Sequence, residues 1–390
     1  MDGRRRAESG RGGLSRALLA AALVGAGCRS ERAAAPGPPA GMDSVLIAGH
    51  VLYVPSGFHV NIYATTSGGP RFMALAPDST VYVTLTGQNQ VVRLLDLDHD
   101  GVAESSAVAK SGLSGPHGIA FRGDTLYVAE ADGVKRYDPG VATPVQLVSN
   151  ISTTGHSTRT VVFGPDNMMY VSIGSSCNIC DETDTVRASV MRYNLNGTGG
   201  RVFAHGLRNS VGLAFNPTTG ALWATNNDRD DIGGFGTPMT DSLPPERINI
   251  LTLGGNYGWP QCYLPGKQNP EYPTANCSTV TAPAITFTAH SAPLGIAFYT
   301  GTMFPADYSG DAFVAYHGSW DRSVPTGAKV VRVQVQGGVP VAITDFVVGW
   351  QLEPSGSRWG RPAGLLVLPD GSLLISDDSS GRIWRVSYGP

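Results

Sequence analysis

The segment GLLVLPDGSLLISD, residues 364–377, decides the fold class of this chain. Two apolar runs flank a Pro-Asp-Gly turn, and an alternating strand, RIWRVSY at 382–388, follows. A tight turn between such runs predicts a β-hairpin with a third strand beside it. Five related segments precede it: MALAPDSTVYVTL (73–85), GIAFRGDTLYVAE (118–130), VVFGPDNMMYVSI (161–173), GLAFNPTTGALWAT (212–225) and GIAFYTGTMFPADYSGDAFVAY (295–316). An internal repeat of this kind predicts a modular β architecture.

Six copies of the repeat predict an all-β chain folded as a six-bladed β-propeller. One blade cannot bury its own apolar face, whereas a closed ring of blades buries every face and leaves few free strand edges. The early segment GFHVNIYAT, residues 57–65, is expected to close the ring by pairing with the last blade. The 50 glycines and 27 prolines fit a fold with many tight turns, and no stretch has a sustained helical period.

The spacing of the copies predicts the domain boundaries. One propeller domain is expected over residues 45–390, with a long loop insertion around 226–290 between the fourth and fifth copies. That segment is much longer than a blade connection needs, and long loops in compact folds are usually functional.

The N-terminal region is typical of an export signal. Five arginines precede an apolar run over residues 17–26, which is the order of a secretory signal, and the run is too short to span a bilayer. Residues 1–27 are expected to be removed, with Cys28 as the lipidation site of a bacterial lipoprotein; an ordinary signal peptide is the alternative. Residues 28–44 predict a flexible tether. The protein would then be exported, either periplasmic or anchored to the outer membrane through lipid.

Four cysteines lie beyond residue 28, and an even number in an exported chain predicts disulfides. Cys262 and Cys277 share one Gly/Pro-rich insertion, which favours a bond between them. Cys177 and Cys180 belong to a CNIC segment, for which a short-range disulfide, a redox motif and a metal motif remain open. Haem attachment is excluded because Asp181 stands where a His is needed, and no second CxxC supports a zinc site.

Three polar segments lie where the innermost strand of a blade would begin. They are Pro116-His117-Gly118, Gly155-His156-Ser157 and Leu207-Arg208-Asn209. In propellers such positions face the central channel, where ligands bind. A single residue of this kind is more simply explained as the cap of a strand end. Three of them at equivalent positions predict a binding or catalytic site.

The segments around these residues resemble one family. HSTRTVVFGPDNMMYVSIG (156–174) is similar to the catalytic-His segment of the soluble glucose and aldose dehydrogenases that use pyrroloquinoline quinone (PQQ). HGLRNSVGLAFNP (205–217) resembles their Arg-Asn segment, and INILTLGGNYGWP (248–260) resembles their GGNYGWP loop. HSAPLGIAFYTG, AYHGSWDRS and WGRPAG are similar to the sorbosone dehydrogenase-like branch. The resemblance runs from about residue 45 to the end. It implies a quinoprotein sugar dehydrogenase that oxidises an aldose or related sugar at its hemiacetal or aldehyde carbon with PQQ and calcium.

The resemblance implies a role for each polar residue at the predicted channel. His156 corresponds to the base that removes the hydroxyl proton while hydride leaves the same carbon, a task suited to a pKa near neutrality. Arg208 would stabilise charge developing on the quinone oxygen, and Asn209 would hydrogen-bond the cofactor. Further cofactor contacts are implied for His117, Arg322 and Arg361, the last as a partner for a PQQ carboxylate.

Calcium is the second cofactor that the resemblance implies, because it would hold the quinone and polarise it as a Lewis acid. Its ligands would lie in the loop after the fourth hairpin, NNDRDD at 226–231, with Asn227 and Asp228 as candidates. Hard oxygen donors suit calcium, and a solvated acidic turn is the alternative for this loop. Glu246 and Tyr257 are expected at a second, structural calcium site.

A further acidic segment, DLDHDG at 96–101, has the spacing of the first half of an EF-hand loop. Ala107 stands at the twelfth position, where a Glu would be needed. A polar turn between blades and a calcium-stabilised turn both remain open.

Two other functions also remain open. A calcium-dependent lactonase or esterase needs clustered carboxylate and Asn ligands at the channel, and the chain has fewer of these there than of His and Arg. A non-catalytic ligand-binding propeller is the third possibility. Gly155 stands where glucose dehydrogenases have Asp, so the sugar is not identified. The expected partners are a small sugar and a separate electron acceptor, a quinone or a cytochrome. The formal net charge of −3 gives no reason to expect nucleic acid.

Overall fold

The structure is a computed structural model that describes residues 39–352 and 355–389. The predicted signal peptide, the lipidation site Cys28 and most of the predicted tether lie outside the described residues. The first strands begin slightly inside the predicted tether. They are β1 (Met42–Ile47) and β2 (His50–Pro55), an antiparallel hairpin, followed by β3 (Phe58–Thr65).

Six sheets, each built on four antiparallel strands, follow one another and confirm the six-bladed β-propeller; the third sheet has a short parallel fifth strand, Gly255–Asn256. Blade one contains β4 (Pro70–Leu75), β5 (Val81–Leu85), β6 (Gln90–Leu95) and β7 (Ser105–Lys110). Blade two contains β8 (Ile119–Arg122), β9 (Thr125–Glu130), β10 (Gly133–Tyr137) and β11 (Val145–Val148). Blade three contains β12 (Val161–Phe163), β13 (Met169–Ile173), β14 (Ser189–Tyr193) and β15 (Arg201–His205).

The second half of the ring has the same plan. Blade four contains β16 (Leu213–Phe215), β17 (Leu222–Asn226), β18 (Glu246–Leu251) and β22 (Ile285–Phe287), and β19 (Gly255–Asn256) pairs with β15 in blade three. Blade five contains β23 (Pro293–Phe298), β24 (Ala312–Tyr316), β25 (Lys329–Gln336) and β26 (Val339–Val347). Blade six contains β29 (Pro362–Val367), β30 (Leu373–Asp377), β31 (Arg382–Tyr388) and β3. Two small hairpins lie outside the blades: β20 (Cys262–Leu264) with β21 (Lys267–Gln268), and β27 (Gln351–Leu352) with β28 (Ser357–Arg358).

The chain closes the ring as predicted. β3 pairs antiparallel with β31, and Phe58 faces Tyr388 while Thr65 faces Arg382 across the join. The first strands of the six blades contact one another in a closed circuit, in the order β4, β8, β12, β16, β23, β29 and back to β4. These strands therefore surround the central channel.

The insertion predicted at 226–290 is partly regular structure. β18 and β22 supply the third and fourth strands of blade four, so the irregular loops are shorter than predicted. They contain the short helix α1 (Pro238–Ser242), which has Pro at its start and a Thr237 side chain that caps the amide of Thr240. The described ranges contain two further single-turn 3-10 helices, Thr86–Gln88 and Ala306–Tyr308. None of the helices in these ranges is long and apolar enough to cross a membrane.

Apolar side chains pack between neighbouring blades rather than in one central core. The second strand of a blade is covered on both faces, and β13, β17, β24 and β30 are buried at every position. Trp223, Trp350 and Trp384 are fully buried in these layers. The fourth strand is the outermost, and most of β7 and β11 is exposed or only half-buried. This rigid frame holds the ends of the inner strands in place around the channel.

Two disulfides are present: Cys177–Cys180, the short-range bond that was one of the possibilities for the CNIC segment, and the predicted Cys262–Cys277. The first excludes metal binding through the CNIC thiols while the bond is intact. The second fastens the β20–β21 hairpin to the loop that follows it, and both of its cysteines are almost fully buried.

Replacing Cys262 and Cys277 together with serine is expected to lower the free energy of unfolding by roughly 3 kcal/mol. The bond links residues 15 positions apart, and its loss restores loop entropy to the unfolded chain. Denaturant titration measures the change, with Ser278→Ala in the exposed part of the same loop as the control. An unchanged unfolding midpoint in the double variant would contradict this stabilising role.

Candidate active site

Each of the six blades carries a basic side chain near the start of its innermost strand. In blade order these are Arg71, His117, His156, Arg208, His290 and Arg361, and blade three has Arg159 as well. The offsets from the strand differ from blade to blade, but all of these residues lie close to strands that surround the channel.

Ser175 holds the His156 ring in one tautomer. His156 Nδ1 lies 2.9 Å from Ser175 Oγ and 3.1 Å from the Ser175 carbonyl oxygen. The Ser175 hydroxyl donates its own hydrogen to the Cys177 carbonyl at 2.6 Å. Its oxygen must therefore accept the hydrogen from Nδ1, which leaves Nε2 unprotonated in the neutral imidazole. Nε2 is the ring atom that can accept a proton from a ligand.

Burial and positive charge keep His156 neutral. Burial lowers the pKa of His156 most, and the positive charge of Arg208 lowers it next, with smaller contributions from Arg187 and Arg159. The hydrogen bond that the ring donates to the Ser175 carbonyl acts in the opposite direction. Together they lower the pKa of His156 to about 4. At neutral pH the imidazole is therefore an available base and not a cation.

The buried Arg208 guanidinium is held from three sides. Nη1 donates to the Asp228 carbonyl at 2.6 Å, and Nη2 donates to Asp230 Oδ2 at 2.6 Å. Nε donates to the Asn178 carbonyl at 3.2 Å. Asn178 also accepts the Asp230 amide and donates its own amide to the Asp230 carbonyl. The orientation of Arg208 is thus fixed before any ligand binds.

The segment 174–180, which contains the CNIC disulfide, supports both functional side chains. The Ser175 amide donates to the Arg208 carbonyl at 2.7 Å, and the Ser175 carbonyl accepts the His156 amide at 2.9 Å. A Cβ on Gly174 would lie 2.5 Å from the His156 Cβ, so this close approach requires glycine. His156 and Arg208 are therefore positioned side by side by one stapled loop.

His156 and Arg208 line a cavity of about 160 Å³. Its walls also contain Asn209, Asn227, Asp230, Glu246, His290, Ala292 and Trp320. Trp320 is 65% exposed and packs against Phe235, which is 57% exposed, with their ring centroids 5.1 Å apart. The cavity combines a base, a guanidinium, carboxylates and an exposed aromatic surface, as sites for small polar ligands do.

The side chains predicted to bind calcium lie in different environments. Asn227 and Glu246 line the cavity, and Glu246 Oε2 accepts the Asp228 amide at 2.7 Å. Burial raises the pKa of Glu246 well above its usual range. The Asp228 carboxylate instead forms a fully buried ion pair with Arg247 at 2.6 Å. The carboxylate of Asp228 therefore serves the interior of blade four rather than the cavity.

The side chains of Tyr257 and Arg322 already have protein partners. The Tyr257 hydroxyl donates to the Ile250 carbonyl at 2.7 Å. Ile250 is four residues along β18 from Glu246, a distance of about 13 Å at the rise of a strand. The Tyr257 hydroxyl is therefore not beside the Glu246 carboxylate, and a calcium site that includes both residues stays a prediction. Arg322 donates to the carbonyls of Asp241 and Ala289, so its guanidinium joins two connecting loops, and its contact with the cofactor also stays a prediction.

A second ionic cluster joins blades one, two, five and six. Asp378 pairs with Arg71 and accepts a hydrogen bond from His317 Nε2 at 2.9 Å. Burial acts to raise the pKa of Asp378, but His317 and Arg71 outweigh it and lower the pKa to about 2. Arg71 donates to His117 Nε2 at 3.3 Å, and Arg361 donates to the His317 carbonyl at 2.9 Å. The predicted residues His117 and Arg361 thus belong to one network.

Three buried or half-buried arginines near the channel have no carboxylate partner in the described part of the chain. Within the described ranges, Arg159, Arg187 and Arg361 donate to carbonyl or hydroxyl oxygens and form no ion pair. Burial lowers the pKa of Arg159 to about 10 and also lowers that of Arg361. Burial and the charge of Arg71 lower the pKa of His117 well below its usual range. These uncompensated cations suit an anionic ligand.

The DLDHDG segment forms the turn between β6 and β7. The Asp100 amide donates to Asp98, and the Gly101 amide donates to Asp96, as in a polar turn. Asp96, Asp98, Asp100 and Glu104 each bring one carboxylate oxygen within 4.8 Å of the others. Calcium binding by this mostly exposed turn stays a prediction.

Sequence reasoning missed two kinds of residue. Arg71 precedes the turn residue Asp78 by the same spacing as His117 precedes Asp124, so superimposing these copies of the repeat would have found it, whereas His290 matches no such position. Ser175, Asn178, Asp230, His317, Asp321 and Asp378 reach the site from loops, and no spacing in the sequence indicates that these loops meet.

Comparisons with known proteins agree with this fold. The TrAA12-like family model matches residues 52–273 and 264–389. A pyrroloquinoline quinone-dependent sugar dehydrogenase of Hypocrea jecorina is 27% identical, over 84% of this chain and 87% of that enzyme. An uncharacterized protein of Borreliella burgdorferi is 30% identical, over 86% of this chain and 91% of its own length. A structure of the Trichoderma reesei carbohydrate-active enzyme of family AA12 superposes with a TM-score of 0.76 at 24% identity, over 86% of this chain and 97% of that one, which supports the fold.

Proposed function

Because the chain belongs to the TrAA12-like family, we propose that it is a quinoprotein dehydrogenase that oxidises a sugar with PQQ. Membership in this family agrees with the resemblance of the His156 and Arg208 segments to PQQ-dependent dehydrogenases. The relative in Hypocrea jecorina has this activity by name. The observation that carries the proposal is the free Nε2 of neutral His156 beside a preoriented guanidinium in one cavity.

His156 supplies the proton acceptor of the proposed reaction. When bound, PQQ would supply the two-electron acceptor for hydride from the oxidised carbon of the sugar. The hydroxyl on that carbon would donate to His156 Nε2, and the neutral imidazole would take its proton as a general base. Ser175 presents this nitrogen by binding the hydrogen on Nδ1. The pKa of about 4 keeps the ring unprotonated at neutral pH.

Arg208 would hold an anionic oxygen at the cavity wall. Its guanidinium is already fixed by Asp230 and by two backbone carbonyls, so little reorganisation is needed when negative charge develops nearby. Trp320 offers an exposed ring to the apolar face of a sugar, while Asn209 offers amide hydrogen-bonding groups. This combination favours a carbohydrate over a purely apolar substrate.

The three carboxylates of PQQ fit the unpaired positive charge of the channel. Arg361 has no carboxylate partner within the described ranges, and a guanidinium can bind a carboxylate through two parallel hydrogen bonds. Burial lowers the pKa values of His117 and His156 most, and a neighbouring arginine is the second cause for each of them. Positive potential is therefore present around both histidines. Arg208 and Arg361 are the residues that would hold the cofactor, with a further contact from His117 in blade two.

Calcium, an external electron acceptor and export complete the proposal. Asn227 and Glu246 line the cavity, and their side-chain oxygen atoms are hard donors that fit calcium. The side chains of Asp228 and Tyr257 fit less well, because they already interact with Arg247 and with the Ile250 carbonyl. Electrons would pass to a separate quinone or cytochrome. The two disulfides agree with an oxidising compartment, which export with a lipid anchor on Cys28 would provide.

The cofactor-free protein is expected to bind PQQ more tightly when calcium is present. Calcium would neutralise the negative charge of the PQQ carboxylates, which would otherwise face the acidic side chains of Glu246 and Asp230 on the cavity wall. Titration of PQQ into chelator-treated protein, with and without calcium, is followed by quinone absorbance and by heat. Addition of an aldose from a panel of sugars should then bleach the quinone absorbance.

Each alternative function has its own outcome in this experiment. Equal PQQ binding with and without calcium would remove calcium from the proposal. Absence of PQQ binding in folded protein would favour a non-catalytic ligand-binding propeller. Calcium-dependent hydrolysis of a lactone or ester without PQQ would favour the hydrolase.

A further inference from the structure

Asp230, His290 and Asp321 form a compact cluster beside the cavity. Their ligand atoms, one from each side chain, all lie within 4.8 Å of one another. The three residues come from separate loops: the one after β17, the one before β23 and the one after β24. Asp230 and His290 line the cavity, which therefore gives access to the cluster.

Asp321 is the unusual member of this cluster. Its side chain is completely buried, and within the described part of the chain neither carboxylate oxygen has a hydrogen bond of ordinary geometry; the backbone amides of Asp231 and of Asp321 itself interact with it only weakly. His290 Nδ1 lies 3.2 Å from Asp321 Oδ2, but it is not aligned to donate a hydrogen to it. A buried carboxylate with such weak hydrogen bonding is costly unless a cation compensates it.

His290 is oriented as a ligand rather than as a donor to Asp321. Its Nε2 lies 3.0 Å from the Leu243 carbonyl, which can only accept, so Nε2 carries the hydrogen. A metal-binding histidine usually donates its second ring nitrogen to a carbonyl or carboxylate in this way, and the other nitrogen is then free to bind the ion. The backbone of His290 has a φ of 60°, a left-handed conformation that is unfavourable for this residue and is often kept at functional sites.

We infer that Asp230, His290 and Asp321 bind a divalent transition-metal ion. Two carboxylates and an imidazole nitrogen suit ions such as Mn²⁺ or Zn²⁺, and they suit calcium poorly because calcium takes oxygen ligands. Its ligands are different residues from Asn227 and Glu246, which share the cavity, and the inference does not depend on the proposed sugar oxidation.

An ion at this site would contact the partner of Arg208. Asp230 Oδ2 accepts the Arg208 Nη2 hydrogen, and its other oxygen would remain for the ion. Occupancy would therefore fix Asp230 and, through it, the guanidinium on the cavity wall. Asp230 is in this sense a positioning residue that links the metal to the active-site cavity.

Mn²⁺ binding to chelator-treated, PQQ-free protein tests the inference by electron paramagnetic resonance. We expect one bound Mn²⁺ whose electron spin echo shows modulation by a directly coordinated nitrogen. His290→Gln should remove the nitrogen signal. Asp321→Asn should weaken Mn²⁺ binding by about 100-fold or more, beyond the loss typical of an outer-shell partner. Asp98→Asn, in the other acidic cluster, is the matched control and should leave the nitrogen-coordinated ion in place.

The thermal unfolding midpoint provides a second readout. Mn²⁺ should raise the midpoint of the wild-type protein and of Asp98→Asn, because an ion that binds only the folded state stabilises it. Mn²⁺ should not raise the unfolding midpoint of Asp321→Asn. A cooperative unfolding transition of this variant without metal shows that it folds. Failure of the wild-type protein to bind Mn²⁺ or Zn²⁺ would overturn the inference. Bound Mn²⁺ without a nitrogen signal, or with unchanged affinity in Asp321→Asn, would overturn it as well.

Discussion

Replacement of His156 by alanine is expected to lower kcat for sugar oxidation by about 10²–10⁴-fold, the usual effect of removing a general base. The variant removes the only ring nitrogen that the Ser175 hydrogen bonds leave free beside Arg208. His156 is only partly buried and packs at a loop, so the fold should survive the change. Dye reduction with PQQ-loaded protein measures the rate, and the unfolding midpoint checks the fold.

A second measurement ties this effect to the protonation state of His156. In the cofactor-free protein the imidazole should titrate with a pKa of about 4 rather than near 6.5, because burial and Arg208 disfavour its charged form. NMR of the histidine rings gives this value, and the resonance missing from His156→Ala assigns it. His59→Ala, at an exposed position on β3, is the matched control. Near wild-type dye reduction by His156→Ala would refute the role of the base.

Arg208→Lys is expected to lower kcat by about 10²–10³-fold, as loss of one preoriented donor to a developing negative charge does. Lysine keeps the charge, but it cannot bind the Asp228 carbonyl, the Asp230 carboxylate and the Asn178 carbonyl with one planar group. The loss should appear in kcat more than in KM for the sugar, because the interaction strengthens as charge develops.

Arg136→Lys is the matched control for this substitution. Arg136 pairs with Asp138 on a half-exposed surface of blade two, so its replacement should leave kcat and the unfolding midpoint unchanged. If Arg208→Lys kept more than about a tenth of the wild-type kcat, the guanidinium would not be the charge-stabilising group. A change in KM alone would place Arg208 in ground-state binding of the substrate.

The blades could be predicted from the sequence because their first three strands are apolar or alternating and are separated by turn residues. The fourth strands could not, since β7 and β11 are largely exposed and have no periodic apolar pattern. The length of the insertion was overestimated for a related reason: β18 follows β17 only after a long excursion, so its membership in blade four is not visible locally.

The candidate site could be predicted where a reactive side chain belongs to the repeat. His156 and Arg208 occupy the same position in two copies and line one cavity, and His117 lies just before the first strand of its own blade. Their partners could not be predicted, because Ser175, Asn178 and Asp230 meet them only through the folding of separate loops. Asp228 was misjudged because the sequence shows an acidic loop but not the buried Arg247 that pairs with its carboxylate. Local chemistry therefore identifies the reactive groups, and tertiary contacts decide which of them are already paired.

The join between β3 and β31 has a consequence for the order in which the protein folds. The sixth sheet needs strands from both ends of the propeller, so a nascent chain cannot complete it until the last strand has been synthesised. Until then the first blade lacks its neighbour, and the apolar residues of β29 and β30 have not yet met it. Pairing between such distant segments is slow because the entropy of closing the chain is lost before the contacts form. The incomplete chain therefore exposes apolar surface that must be protected from aggregation, and truncation before residue 382 should leave an open ring rather than a five-bladed one.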